Sequence, residues 1–226
     1  MTFSIKMDFT RKARFVARGD LATVEPSVTC SSVVSRDSIR LAFLIAGLND
    51  LEAMACDLTN ACLSAPCREK VWFVGGKDTG EDCGKVCVVD RAVCGLRSSG
   101  ASWRAMLSRT LQDDLGFTPA QADPDVCRRP AEKDGFQHCE HVFVHVDDLL
   151  VLSKDSMHWI RRLQKVCETK EDSIKPPDLH LGAQVGKTQI LNDTGKMAWM
   201  WLQTSVARML LRLFRDCLMK MEKACN

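Results

Sequence analysis

Charged and apolar residues alternate along residues 12–17, with Lys12 and Arg14 on one face and Ala13 and Phe15 on the other. That period of two predicts a half-exposed strand. Further on, Ser35 and Asp37 precede the apolar run 39–48, which predicts a buried helix with a cap and an acid in its first turn. Residues 52–56 are short and apolar enough for a strand that ends at Asp57. Gly75, Gly76, Gly80 and Gly84 then open the chain into loops or a hairpin. From Ser99 onward, Trp103, Met106, Leu107, Leu111 and Leu115 recur at helical spacing, which predicts an amphipathic helix stopped near Gly116. Two strand-like runs, 141–146 and 149–152, flank Asp147 and Asp148, and two residues between such runs predict a tight hairpin. Residues 159–166 read as a helix, 179–185 as a strand, and 205–222 as a long Met- and Leu-rich amphipathic helix.

Composition narrows the class. The 226 residues are 46% apolar and 27% charged, enough for one large core or two small ones. Residues 1–15 lack the apolar core of about 7 to 15 residues that marks a secretory signal, and no run approaches the roughly 18 of a membrane span. Both features point to an intracellular protein without a membrane partner. A net charge of +2 announces no polyanion, so a nucleic-acid footprint has to be local. Two basic groups exist, Arg11, Lys12, Arg14 and Arg18 near the start and Arg208, Arg212, Arg215, Lys220 and Lys223 near the end. Each taken alone reads as a solvated face. The 12 cysteines read as reduced thiols, because a disulfide framework belongs to small secreted chains. Cys83 with Cys87, and His138, Cys139 and His141, come nearest to metal-ligand spacing, but neither makes the paired knuckles of a structural zinc site.

The sharpest chemistry lies in FVHVDDLLVL, an acidic pair at a hairpin tip with apolar flanks. Asp favours turns for its own reasons, so the pair gains meaning from a second strand-end carboxylate, Asp57 in AMACDLTNACLSAP. If the strands lie side by side, the three carboxylates meet at one edge. Mg2+ takes hard oxygen ligands and is usually held by one or two carboxylates plus substrate phosphates. Two such ions can activate an attacking hydroxyl and stabilise a leaving pyrophosphate. Asp57 and Asp147 are the candidates for bridging both ions, and Asp148 for support.

Across almost its whole length the chain resembles the reverse transcriptase domain of copia-like retrotransposon Pol polyproteins. KARFVARGD resembles the fingers strand, VVSRDSIRLAFLIAGLND the helix before the first catalytic strand, and DLTNACLSAP the first catalytic motif. RAVCGLRSSGASWRAML resembles the nucleotide-binding turn and palm helix, VHVDDLL the catalytic hairpin, and LHLGAQVG the primer grip. The resemblance implies an α+β right-hand polymerase, with an antiparallel sheet backed by helices forming partial fingers and palm over residues 1–226. The thumb would be truncated, with residues 205–226 a C-terminal helix. It implies an RNA-directed DNA polymerase using two Mg2+ ions, with Mn2+ as a substitute, at Asp57, Asp147 and Asp148. Its partners would be an RNA or DNA template with primer, deoxynucleoside triphosphates and missing parts of a Pol polyprotein. Its location would be cytoplasmic or in virus-like particles, with nuclear access. It further implies nucleotide contacts at Gly95 and Arg97, triphosphate contact from Lys12 or Arg14, and a candidate proton donor at Lys170. At Cys62 it places the bulky aromatic that bars a ribose 2′-hydroxyl.

The chain contains no tyrosine, and family tyrosines correspond here to Cys30, Cys62, Cys94, His145 and His180. Each change lies one base from a tyrosine codon, the pattern of a mutated or recoded copy. An inactive remnant that folds and binds nucleic acid weakly is therefore the alternative. An unrelated metal-dependent nuclease could use the same carboxylates but leaves GLRSSG and LHLGAQVG without a role. A helix-binding module built on the basic C-terminal helix is a further alternative.

Overall fold

The computed structural model describes residues 2–5, 9–20, 29–189 and 197–203. The helix expected at 205–222 and the second basic group lie outside the described residues. In chain order the elements begin with β1 (Thr2–Ile5) and β2 (Arg11–Arg14), α1 (Arg36–Leu48), β3 (Glu52–Asp57), β4 (Trp72–Val74) and β5 (Val86–Val88). Next comes α2 (Ser99–Arg109), prolonged by a π-helical turn at Thr110–Asp114. β6 (Thr118–Pro119), β7 (Val126–Lys133), β8 (Phe136–His145), β9 (Asp148–Ser153) and α3 (Ser156–Leu163) follow. The described chain closes with β10 (Leu179–His180), β11 (Ala183–Gln189) and β12 (Met197–Gln203).

The central sheet runs β3-β9-β8-β7-β6, with every neighbour antiparallel. Strand alternation sorts its residues onto two faces. On one, Met54, Cys56, Leu149, Val151 and Val142 pack with Trp103, Leu107 and Leu111 of the α2 region and with Trp159, Ile160 and Leu163 of α3. On the other, Ala53, Phe143, Leu150 and Leu152 pack with Ile39, Phe43 and Ala46 of α1 and with Val185 of the β10-β11-β12 sheet. The result is an antiparallel sheet backed by helices, with cores on both faces. Ser35 caps α1 by accepting from Ser38 N at 3.1 Å, as its position before the apolar run foretold.

Several boundaries moved for local reasons. The first predicted strand ends at Arg14, and Ala17 N instead donates to the Cys94 carbonyl at 2.8 Å. The third helix starts at Ser156, a turn earlier than the apolar run, because Asp155 accepts from His158 N at 3.1 Å. Residues 179–185 form two strands instead of one. Leu181 at φ 47° and Gly182 at φ 75° make a two-residue turn there, with the positive φ pair that suits strand twist. The acidic hairpin is also displaced by one residue. Val146 and Asp147 form the turn, while Asp148 opens β9 opposite His145.

Candidate active site

β3 and β9 are held in a register that places Asp57 directly opposite Asp148. Residues opposite each other in an antiparallel pair project to the same side, so the two carboxylates share a face, with His145 next across on β8. Asp147 is exposed in the adjoining turn, and its carbonyl accepts from Leu58 N at 2.8 Å, tying the turn to the end of β3. All three carboxylates thus stand at one end of the central sheet. Burial, followed by the negative charges of Asp147 and Asp57, raises the Asp148 pKa, while His145 and Lys170 oppose the rise.

The turn is strained and braced. Val146 sits at φ 57°, a region that β-branched residues rarely enter and that costs about 1–3 kcal/mol. Trp103, buried in the core beneath, donates its indole N–H to the Val146 carbonyl at 2.8 Å. A core helix therefore fixes the hairpin that carries two of the carboxylates.

Asp57 is gripped by residues 168–175, a stretch that sequence reasoning singled out only for Lys170. Lys170 N donates to the Asp57 carbonyl at 2.9 Å, Ser173 Oγ accepts from Asp57 N at 2.8 Å, and the Lys170 ammonium bonds Asp57 Oδ2. Asp57 Oδ1 is buried and has no hydrogen-bond partner. A buried anionic oxygen without a partner is costly, and a bound cation would satisfy it. Among the described residues, no group of three His, Cys, Asp or Glu side chains could hold a metal ion unaided. His138 and Cys139 are neighbours on β8 and point to opposite sides of it, so the spacing read along the sequence yields no zinc site.

The family model for reverse transcriptase (RNA-dependent DNA polymerase) matches residues 3–185. The chain belongs to this family. Two Saccharomyces cerevisiae relatives, the transposon Ty1-ER2 and Ty1-H Gag-Pol polyproteins, are each 24% identical over 217 residues, 93% of this chain and 12% of theirs. The truncated transposon Ty1-A Gag-Pol polyprotein is 24% identical over 216 residues, 93% of this chain and 17% of its own length. The chain spans a small part of these relatives, and that part is the reverse transcriptase domain of the copia type.

Within this domain the other candidates occupy separate places. Lys12, half-buried, and Arg14, exposed, share a face of β2, in a two-stranded sheet apart from the carboxylates. Gly95, at φ 97°, lies against Val16 and Ala17, where an added Cβ would meet the Ala17 carbonyl oxygen at 2.2 Å. Close backbone packing therefore explains this glycine. Arg97 is exposed and acts on Asp20. Cys62 is half-buried against the α2-side core in the 3-10 turn Ala61–Ser64. Its thiol pKa is raised by burial first, then by Cys94 and Asp147. Glu69, unremarked in the sequence, accepts from Ser98 N at 2.8 Å at the start of α2. No helix among the described residues is long and apolar enough to cross a membrane.

His180 sets a pH dependence. It is buried, its Nε2 has no partner, and burial followed by the nearby His145 pushes its pKa down to about 4. The unfolded chain binds this proton near pH 6.5, so stability falls as pH drops from about 6.5 to about 4 and levels off below that. The loss expected from this group is about 3 kcal/mol. Denaturant titrations at pH 7.5, 5.5 and 4 should show His180→Phe falling less steeply than the parent. Parallel losses would show that His180 titrates normally.

Proposed function

We propose that this chain is the fingers and palm of an RNA-directed DNA polymerase that adds deoxynucleotides to a primer on an RNA or DNA template. The observation that carries this reading is Asp57 in register with Asp148, with Asp147 in the adjoining turn. Asp57 and Asp147 would hold divalent cations, with the triphosphate supplying the oxygens that the protein does not. When bound, Mg2+ or Mn2+ activates the primer hydroxyl and neutralises charge on the leaving pyrophosphate. Asp148 supports the pair; burial first, and then the charges of Asp147 and Asp57, raise its pKa, and added positive charge would offset the second of these. Lys170, ion-paired with Asp57, is the proposed donor to the leaving group. Lys12 or Arg14 is the proposed triphosphate contact, and Gly95 and Arg97 flank the nucleotide. The remaining regions of a Gag-Pol polyprotein are proposed partners, and the site of action is intracellular.

Primer extension with separate RNA and DNA templates tests the reading. Incorporation on either template supports it, whereas binding without incorporation selects the inactive remnant. Cleavage of the template would select a nuclease.

Cys62 bears on substrate choice. A cysteine ends at one sulfur, where an aromatic ring would press on the sugar, so the parent should admit ribonucleotides. Cys62→Tyr is expected to restore discrimination by about tenfold or more, since each 1.4 kcal/mol of repulsion is about tenfold. Because Cys62 packs against the core, a ring forced inward would instead cost about 1–3 kcal/mol. Incorporation ratios and melting temperatures of parent and variant separate these outcomes. Equal ratios in two folded, active proteins rule out the gate.

A further inference from the structure

After the 3-10 turn that follows β3, the chain pairs with the stretch leading to Gly95. Ala92 N donates to the Ala65 carbonyl at 3.0 Å, Cys67 N donates to the Asp90 carbonyl at 2.8 Å, and Pro66 lies opposite Arg91. Antiparallel pairing brings residues before 65 together with residues after 92. The turn folds back, with Ala65 N donating to the Cys62 carbonyl at 3.0 Å. Cys62 and Cys94 are consequently brought near one another by this backbone pairing, close enough for Cys94 to act on the Cys62 thiol. The Cys94 backbone is fixed by the bond from Ala17 N to its carbonyl. Cys94 is exposed and Cys62 half-buried, whereas Cys56, Cys127 and Cys167 are buried.

We propose that Cys62 and Cys94 form an oxidisable dithiol, whose disulfide ties the turn after Asp57 to the loop before Gly95. The oxidant is hydrogen peroxide. The exposed Cys94 sulfur attacks one peroxide oxygen, the O–O bond breaks, and a sulfenic acid and one water result. The Cys62 sulfur then displaces the sulfenic hydroxyl, forming the S–S bond and releasing a second water. Two thiols lose two electrons and two protons, and the peroxide accepts both. A dithiol reductant reverses the bond. Resting on the polymerase reading, the closed disulfide spans the nucleotide subsite and shuts it.

The full chain, treated with hydrogen peroxide, is alkylated, digested without reduction and examined by mass spectrometry. A peptide joining Cys62 to Cys94, lighter by two hydrogens than its parts, is expected. It disappears on reduction and does not form in Cys94→Ser, while Cys56, Cys127 and Cys167 stay reduced. Both thiols alkylated, or either joined to a different cysteine, overturns the proposal. Deoxynucleotide binding before and after oxidation tests the consequence, with loss on oxidation and recovery on reduction expected. Unchanged binding with the disulfide mapped overturns the closure. A reduced chain that binds no nucleotide counts against the polymerase reading, and the mapped peptide still decides the dithiol.

Discussion

Asp57→Asn is expected to lower primer extension by about 1,000-fold or more while leaving the protein folded. The substitution keeps the volume and removes a negative oxygen ligand, and metal-centred charge stabilisation is worth several kcal/mol in phosphoryl transfer. A loss of about 4 kcal/mol gives that factor. The fold should survive because the strand is fixed by backbone bonds. Asp57 N still meets Ser173 Oγ, and its carbonyl still accepts from Lys170 N. The ion pair that disappears joins a lysine whose side chain is 48% exposed, so its loss costs at most about 1 kcal/mol. Asp147→Asn should behave alike. Asp148→Asn should be milder in activity and neutral or favourable in stability, because it removes a charge disfavoured by burial first and by Asp147 and Asp57 second. Extension of a labelled primer and thermal melting, run on all three variants, separate these effects. Undiminished extension by the Asp57 or Asp147 variant would sink the two-metal assignment.

The second large effect is expected at Trp103, which no chemical argument singles out. Trp103→Ala should cost about 3–5 kcal/mol, the usual penalty for truncating a large aromatic, since the side chain is only 2% exposed. Trp103→Phe is the more informative change. It keeps most of the ring and removes the donor to the Val146 carbonyl, costing about 1 kcal/mol in stability. Its effect on rate should be larger than that. Val146 holds a positive φ, and without the indole bond the turn can relax and carry Asp147 and Asp148 with it. Displacements near 1 Å cost about 100-fold in a positioned reaction. A drop in kcat well beyond the stability change, with KM little altered, is expected at saturating nucleotide. Equal kcat for parent and Trp103→Phe would show that the indole bond does not position the turn.

Much of this was legible in the sequence because it is local. Ser35 before an apolar run dictates a capped helix, and the Trp103, Leu107, Leu111 spacing dictates a helix with one buried stripe. The acidic pair between apolar runs marks a hairpin, though periodicity alone left its turn one residue out. Asp134 and Gly135, both at positive φ, link β7 to β8 by a pair whose turn preference is also written locally. Motif order carried the family, which the match over residues 3–185 bears out.

What the sequence determined by itself was therefore the capped and amphipathic helices α1 and α2, the strand and hairpin that carry the acidic residues, and the family. Only the tertiary structure decided how these meet. The register opposing Asp57 to Asp148 joins residues far apart in sequence, and it is set by two cores that must be buried at once. The Lys170 and Ser173 grip on Asp57, the Trp103 brace under Val146 and the meeting of Cys62 with Cys94 arise in the same way. Each joins groups that no local pattern relates, so each existed only once the chain had closed around its cores.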